Sequence, residues 1–468
     1  MKNIVLVLSD QHSYRFTSWN DNKIDTPNID RIRNKSMSFD RCYCNAPLCV
    51  PSRMSFLSGK FPSELKIFNN DTTLPIDLPT IAHFVGSLGY KTALIGRMHF
   101  KGDDQKHGFD IKLGQDITSQ YWGTGGKNRT DFADFAGTTN RKNCLNQVGG
   151  GVSPTMCYDK EIYDIAINFL HNYDDSKNPL FLIVGFYSPH FPFTCSENLY
   201  HKYKIRYPLY DCEEEQKIDS LPIYEDYMQD CQVEHMRNCK AAYAGMVEQL
   251  DTYIGGIYDE YQNMNSEREK LFCYTSDHGE QLGKRNIFGK QTMYEDAIRV
   301  PCIIQGNNFS VGSNDKTVSL LDLSYTLMQE AGCEDLSWHS GKSLHDRNNN
   351  PVRIQQIVEY KNHYEIVEAL IVDNYKIIKT QNKFVVYDVS NNYESIIENT
   401  NNILKQIEKN IGELKNYFLS DKDKNKIIKN EEQQKFNHDI LKKWGQIKKP
   451  DEWATMHMNK DRLISSKE

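Results

Sequence analysis

The residues with chemistry to offer fall into a few short polar runs. The densest is Cys49-Val50-Pro51-Ser52-Arg53, continued by Leu57-Ser58-Gly59. Pro51 fits the first turn of a helix, where its missing N–H costs nothing. Cys49 then stands at the positive end of that helix with Arg53 one turn further in, a seat for an anion. A second group is split along the chain, Asp10-Gln11 and Asp277-His278. Two carboxylates and an amide oxygen suit a hard divalent cation such as calcium, whereas the His278 nitrogen draws the set toward manganese or another transition ion. The two pairs act together only if the strands that deliver them are neighbours. Ser52 lacks the following glycine of a nucleophile elbow, which argues against a serine hydrolase.

Each polar run follows a short apolar stretch. Residues 3–9, 92–95, 180–186 and 271–274 have the continuous hydrophobic pattern of buried parallel strands. They lead into Asp10-Gln11, Arg97-Met98-His99, Pro189-His190 and Asp277-His278. Ligands of open α/β sheets collect outside the carboxyl ends of such strands. The expected fold class is therefore α/β, with a large, mostly parallel sheet between helices. Residues 241–261, with Met246, Leu250, Tyr253, Ile254 and Ile257 at helical spacing, predict a crossover helix, and residues 80–88 predict another. Beyond about residue 350 the runs 354–360, 369–372, 375–378 and 384–387 predict a small antiparallel sheet, with Asp373-Asn374 as a tight turn. Ile403, Ile407, Ile411, Leu414 and Phe418 form a helically spaced packing face. The chain divides on this reading into a catalytic domain, 1–350, and a C-terminal subdomain, 351–468, of small sheet, helix and tail.

A chain of 468 residues, 39% hydrophobic and 25% charged, has ample core for one large domain and an appendage. A net charge of −7 gives no footprint for a nucleic-acid backbone. No run is long and apolar enough to suggest a membrane span. The apolar residues 4–8 are too few for a secretory signal core and are stopped by Ser9-Asp10. The expectation is a cytoplasmic protein whose 12 cysteines are free thiols. They form no pair of C-x-x-C motifs, so no zinc site is expected.

The run from Cys49 to Arg53 resembles the C-x-P-S-R signature of type I sulfatases, with Leu-Ser-Gly where that family usually has Leu-Thr-Gly. The resemblance covers residues 3 to about 325 and implies an alkaline-phosphatase-like fold. It implies that a maturation enzyme oxidises Cys49 to formylglycine, whose hydrate is the nucleophile. Asp10, Gln11, Asp277 and His278, with the residue made from Cys49, would hold the divalent cation, calcium being expected and manganese the alternative. Arg53 would hold the hydrate. Arg97 and His99 match the family's Lys-x-His, with arginine replacing lysine. Arg97, possessing a planar fork, and Lys290 would grip the sulfate oxygens, Arg97 in two-pronged fashion. His190 would protonate the departing alcohol, and His99 would take the proton that lets the covalent sulfo-enzyme expel sulfate. Glu280 would orient His278 from behind.

Asp-His in place of Asp-Asn, and Gly96-Arg97-Met98-His99-Phe100, are similar to the choline-sulfatase-like branch. The implied reaction is hydrolysis of a small sulfate ester. A phosphonate monoester or phosphodiester hydrolase with the same nucleophile is the alternative, and a silent binding protein a remote one. Tyr121, Trp122 and Trp453 are candidates for an aromatic cage around a quaternary ammonium. The tail from 448 to 468 is a candidate for building a homo-oligomer.

Overall fold

The computed structural model describes residues 1–118, 145, 147–346, 350–380, 383–391 and 394–448. Tyr121, Trp122 and Trp453, and the tail after residue 448, lie outside the described residues. The four strands read from the sequence are Asn3–Asp10, Lys91–Gly96, Leu180–Pro189 and Lys270–Ser276. They lie side by side, in the order Lys270–Ser276, Asn3–Asp10, Leu180–Pro189, Lys91–Gly96, and all run parallel. Their carboxyl ends therefore open onto one edge of the sheet. Ile111–Leu113 extends the sheet on one side. On the other side Cys302–Gln305 runs antiparallel, followed by Met37–Tyr43 and Gly312–Ser319. The sheet is thus mixed, nine-stranded among the described residues.

Successive residues of a strand face opposite sides, and here both sides are dry. Ile4, Leu6 and Leu8 enter one core with Val50, Met54 and Leu57 of the helix Cys49–Ser58. Val5 and Val7 enter the other, with Ile162 and Ala166 of Pro154–Asn172 and Leu250, Ile254 and Ile257 of Val233–Asn263. The last helix begins eight residues before the apolar spacing does. Its polar-looking first turns bury Met236, Cys239 and Lys240.

The second sheet, five-stranded, runs Val352–Tyr360, His363–Val372, Tyr375–Thr380, Lys383–Asp388 and Ser395–Ile396, every pair antiparallel. Asp373 (φ 50°) and Asn374 make the two-residue turn expected between two of these strands. Ile354, Val358, Val367, Ala369 and Ile371 join the first core, so this sheet packs onto the large one's helical layer. Its outer face, Leu370, Val372, Ile377 and Val386, is covered by Ile407, Leu414 and Phe418. That stripe is not one helix: Asn401–Ile411 stops at Gly412 (φ 86°), and Leu414 restarts in a short 3₁₀ turn. No helix among the described residues is long and apolar enough to cross a membrane.

Candidate active site

The helix Cys49–Ser58 starts at Cys49 itself, after an extended Leu48. Leu48 has no side-chain oxygen to cap the first amides; the Val50 amide instead donates to Asn70 Oδ1 at 3.0 Å. Gly59 ends the helix at φ 71°, and a Cβ there would stand 2.3 Å from the His339 ring.

At the open edge of the sheet, Asp10, Cys49, Asp277 and His278 bring one ligand atom each within 4.8 Å of the others, all buried. The parallel register that sets Ser9 beside Ser276 is what unites the two acidic pairs. His278 Nε2 lies 3.2 Å from Cys49 Sγ, 3.7 Å from Asp10 Oδ1 and 3.6 Å from Asp277 Oδ1. Its Nδ1 meets the Gly279 carbonyl at 3.0 Å. A carbonyl only accepts, so Nδ1 carries the hydrogen and Nε2 presents a lone pair. Burial holds this imidazole down to about 4, in the neutral form a metal needs. Two carboxylate oxygens and a bare imidazole nitrogen converging on one point fit a divalent cation. Gln11, also expected here, spends its amide otherwise: its oxygen accepts from Lys290 Nζ and its nitrogen donates to Glu280. It does so from a left-handed backbone, φ 71°.

Two arginines, both wholly buried, hold the acids in place. Arg53 donates from Nε to Asp277 Oδ2 (2.8 Å), from Nη2 to Asp10 Oδ2 (3.2 Å) and from Nη1 to the Arg97 carbonyl (3.0 Å). Arg97 donates from Nε to Asp10 Oδ2 (2.5 Å) and from Nη1 to Asp116 Oδ1 (3.0 Å) and Thr118 Oγ1 (2.8 Å). From Nη2 it donates to His99 Nδ1 at 3.0 Å. Four of its five N–H groups are thereby engaged. One remains for an anion, so a two-pronged grip on sulfate is not available in this arrangement. Burial works against ionising Asp10, yet Arg97, His190, Arg53 and Lys290 together hold it well below the usual carboxylate range. The Cys49 thiol, pushed up to about 11 by burial and Asp10, is protonated at neutral pH and a poor nucleophile as it stands.

The two histidines present opposite faces. His99 accepts from Arg97 at Nδ1, so its neutral ring carries hydrogen on Nε2. His190 donates from Nδ1 to the Phe191 carbonyl at 2.7 Å, and its buried Nε2 has no hydrogen-bond partner among the described residues. Burial, with Lys290 beside it, holds His190 well below its ordinary value. In the neutral rings the free lone pair thus belongs to His190 and the N–H to His99: His190 must first take up a proton before it can donate one, and His99 Nδ1 is already used by Arg97. Lys290, 6% exposed, lies over the Phe191 ring at 5.4 Å.

Asp10, Gln11, Cys49, Arg53, Arg97, His99, His190, Asp277, His278 and Lys290, all named from the sequence, come to this edge. Glu280 is there in another role: it meets Gln11 and accepts from the Leu282 and Gly289 amides at 2.7 and 2.6 Å, and His278 is oriented by a backbone carbonyl instead. Asp116 was not foreseen. It accepts from Arg97 and from the Met98 and His99 amides (3.1 and 2.6 Å), fixing the loop that carries both side chains. Its only local sign is the Asp-x-Thr turn, where Thr118 N donates back to Asp116 at 2.9 Å.

A model of the sulfatase family matches residues 2–333. The chain belongs to the sulfatase family. This sulfatase is 30% identical over 379 residues to the choline-sulfatase of Rhizobium meliloti (strain 1021), covering 73% of this chain and 70% of that one. Its fold, the alkaline-phosphatase-like one, is similar to that of the phosphonate monoester hydrolase of Agrobacterium radiobacter (TM-score 0.66, 17% identity, 83% of this chain and 90% of that). It is also similar to a protein solved with its substrate D-glucosamine-2-N,6-O-disulfate (TM-score 0.63, 21% identity, 83% and 91%). Membership in the family implies a divalent metal and a formylglycine made from a cysteine.

Proposed function

We propose that this sulfatase hydrolyses a small sulfate monoester to an alcohol and inorganic sulfate, with Cys49 as the precursor of the formylglycine. The observation that carries this reading is the buried convergence of Cys49, Asp10, Asp277 and His278 at the mouth of the parallel strands. Asp10, Asp277 and His278 would hold the divalent cation, which would supply positive charge where negative charge develops in the reaction. Calcium is the ion first expected. The nitrogen donor, and a Gln11 amide occupied by Lys290, weigh toward manganese.

The hydrated aldehyde would supply two hydroxyls on one carbon, one to attack sulfur as its proton is lost to water, and one whose deprotonation would re-form the aldehyde as sulfate leaves. This chain's own residues do the rest. Arg53 keeps both carboxylates turned toward the cation. Lys290 and the last N–H of Arg97 neutralise charge on the sulfuryl oxygens as it builds. His190 takes up a proton from water at its free Nε2 and passes it to the departing alcohol oxygen. His99 steadies an oxygen through its Nε2 hydrogen. A maturation enzyme that makes formylglycine is the implied partner.

The test is hydrolysis by protein co-expressed with such an enzyme, with peptide mass confirming conversion at Cys49. Matched aryl sulfate, choline sulfate, phosphodiester and phosphonate monoester would be compared. Preference for sulfates supports the reading. Preference for the phosphorus esters would replace it with the second reading, a phosphonate monoester or phosphodiester hydrolase, which the histidine in the metal cluster favours.

A further inference from the structure

Four charged side chains, each at most 3% exposed, meet where the C-terminal sheet touches the large domain. Lys376, from the strand Tyr375–Thr380, bonds Glu295 Oε1 at 3.1 Å and also Glu394. Glu394 in turn holds Arg285 Nη2 at 2.8 Å and accepts from the Glu295 amide at 3.2 Å. Glu295 takes a further bond from Tyr43 Oη at 3.1 Å. The site described above uses none of these groups.

Their consequence lies in the next residues along the chain. Asp296 and Ala297 offer their carbonyls to the Glu280 and Gly279 amides, at 2.7 and 2.8 Å. Those amides directly follow Asp277 and His278. The contact is tight, since a Cβ on Gly279 would lie 2.0 Å from the Asp296 oxygen. From the other side the Asp296 carboxylate is held by Lys284 (2.8 Å) and Arg15 (3.2 Å). The short segment behind the two candidate ligands is therefore gripped on both flanks, and one grip comes from the second sheet.

We propose that Lys376 is a positioning residue for the metal site: through Glu295 it fixes the 295–297 segment against which Asp277 and His278 are set. This rests on the reading that the cluster holds a divalent cation. Removing one partner from a buried ion cluster leaves charge less well compensated, and the groups that carry it move to regain contacts. Loss of Lys376 leaves Glu394 with Arg285 and Glu295 with Tyr43 and with Arg299 at 3.8 Å, but takes away the one cation shared by the two carboxylates, and the segment shifts.

The test is direct binding of Mn2+ and of Ca2+ to metal-free protein with Cys49 unconverted, which needs no activity. Lys376→Met is expected to weaken binding by about tenfold, the low end of what losing a group bonded to a ligand itself costs, and Lys376→Arg to restore most of it. The control is Lys424→Met, which breaks another partly buried pair, with Glu368 at 3.2 Å, well away from the cluster. It should lower the melting temperature and leave the metal affinity alone. If Lys376→Met does not fold, Glu394→Gln, of equal volume, is expected to weaken binding in the same direction. Unchanged affinity in a folded Lys376 or Glu394 variant, or an equal loss in Lys424→Met, would overturn the inference alone. No binding of either ion by the wild-type protein would overturn the metal reading beneath it.

Discussion

Arg53 and Arg97 meet on a single oxygen, Oδ2 of Asp10, at 3.2 and 2.5 Å. They approach from different elements, the helix Cys49–Ser58 and the loop after Lys91–Gly96. With Oδ2 saturated by two guanidinium groups, Oδ1 is the oxygen left to face Cys49 and His278, 3.7 Å from each. Asp277 likewise gives Oδ2 to Arg53, and its Oδ1, on the His278 side, also accepts from the Gln11 and His278 amides at 3.0 and 2.9 Å. The arginines thus decide which edge of each carboxylate the cluster receives.

Arg53→Lys tests that division of labour. Lysine keeps the charge but cannot donate in a plane to three acceptors at once. We expect kcat/KM of the converted enzyme to fall about 100-fold, the size of losing a preorganised electrostatic contact. Arg53→Ala takes one guanidinium from two buried carboxylates, leaving Asp10 to Arg97 and Asp277 to backbone amides, and should cost about 3 kcal/mol of stability in urea unfolding of the metal-free protein. A lysine variant within threefold of wild type would refute the assignment.

Of His99 and His190, only His190 keeps its lone pair free of a hydrogen-bond partner among the described residues, and its removal should hurt in proportion to the leaving group's need for a proton. With an alkyl sulfate, His190→Ala is expected to lose about 1,000-fold in kcat. With nitrophenyl sulfate, whose phenolate departs unaided, the loss should be far smaller. Equal losses on both esters would remove His190 from the proton transfer.

Asp116 is the brace of the Arg97–His99 loop, and Asp116→Asn keeps its shape while weakening its pull on Arg97 and two amides. The variant should lose about 2 kcal/mol of stability, as a buried charge-assisted bond is worth. Burial opposes its ionisation, but Arg97 and His99 outweigh burial and hold this carboxyl well below the usual carboxylate range. A group depressed in the folded state gives stability that is present above about pH 4 and drains away as pH falls below it. Wild type should therefore lose stability faster than the variant between pH 4 and pH 3 in urea melts. Parallel curves would count against it.

Metal removal gives a separate check. Dialysis against a chelator should abolish turnover, and re-addition should restore it with manganese at least as well as with calcium, given the His278 nitrogen. Restoration by calcium alone would mean that further oxygen donors join the set on binding, Gln11 foremost.

Much of this architecture could be read from the chain because its signals are local. The four apolar runs, each ending in polar residues, needed no partner to be seen, and their adjacency followed from the rule that ligands gather at strand ends. Pro51 and Gly59 likewise mark their helix by backbone preference alone. What stayed hidden depends on contacts far apart in sequence. Asp116 looks like any loop aspartate until Arg97 reaches it. Nothing near Lys376 suggests that it pairs with Glu295. The roles of His99 and His190 turn on which ring nitrogen meets a donor or a carbonyl, a choice made by Arg97 and by the fold of the Phe191 backbone. Gly412 broke a helical stripe whose apolar spacing continued across it.

Cys49 has no exposed surface in the folded protein. The proposed conversion of its thiol must therefore come early in the life of the chain, while the segment is still extended and an oxidising enzyme can grip it. On that proposal, a copy that folds first would close over its own thiol and be lost to maturation. The active fraction of a preparation is then set by a race between folding and oxidation, and slowing synthesis or raising the maturation enzyme shifts the outcome without changing a single residue.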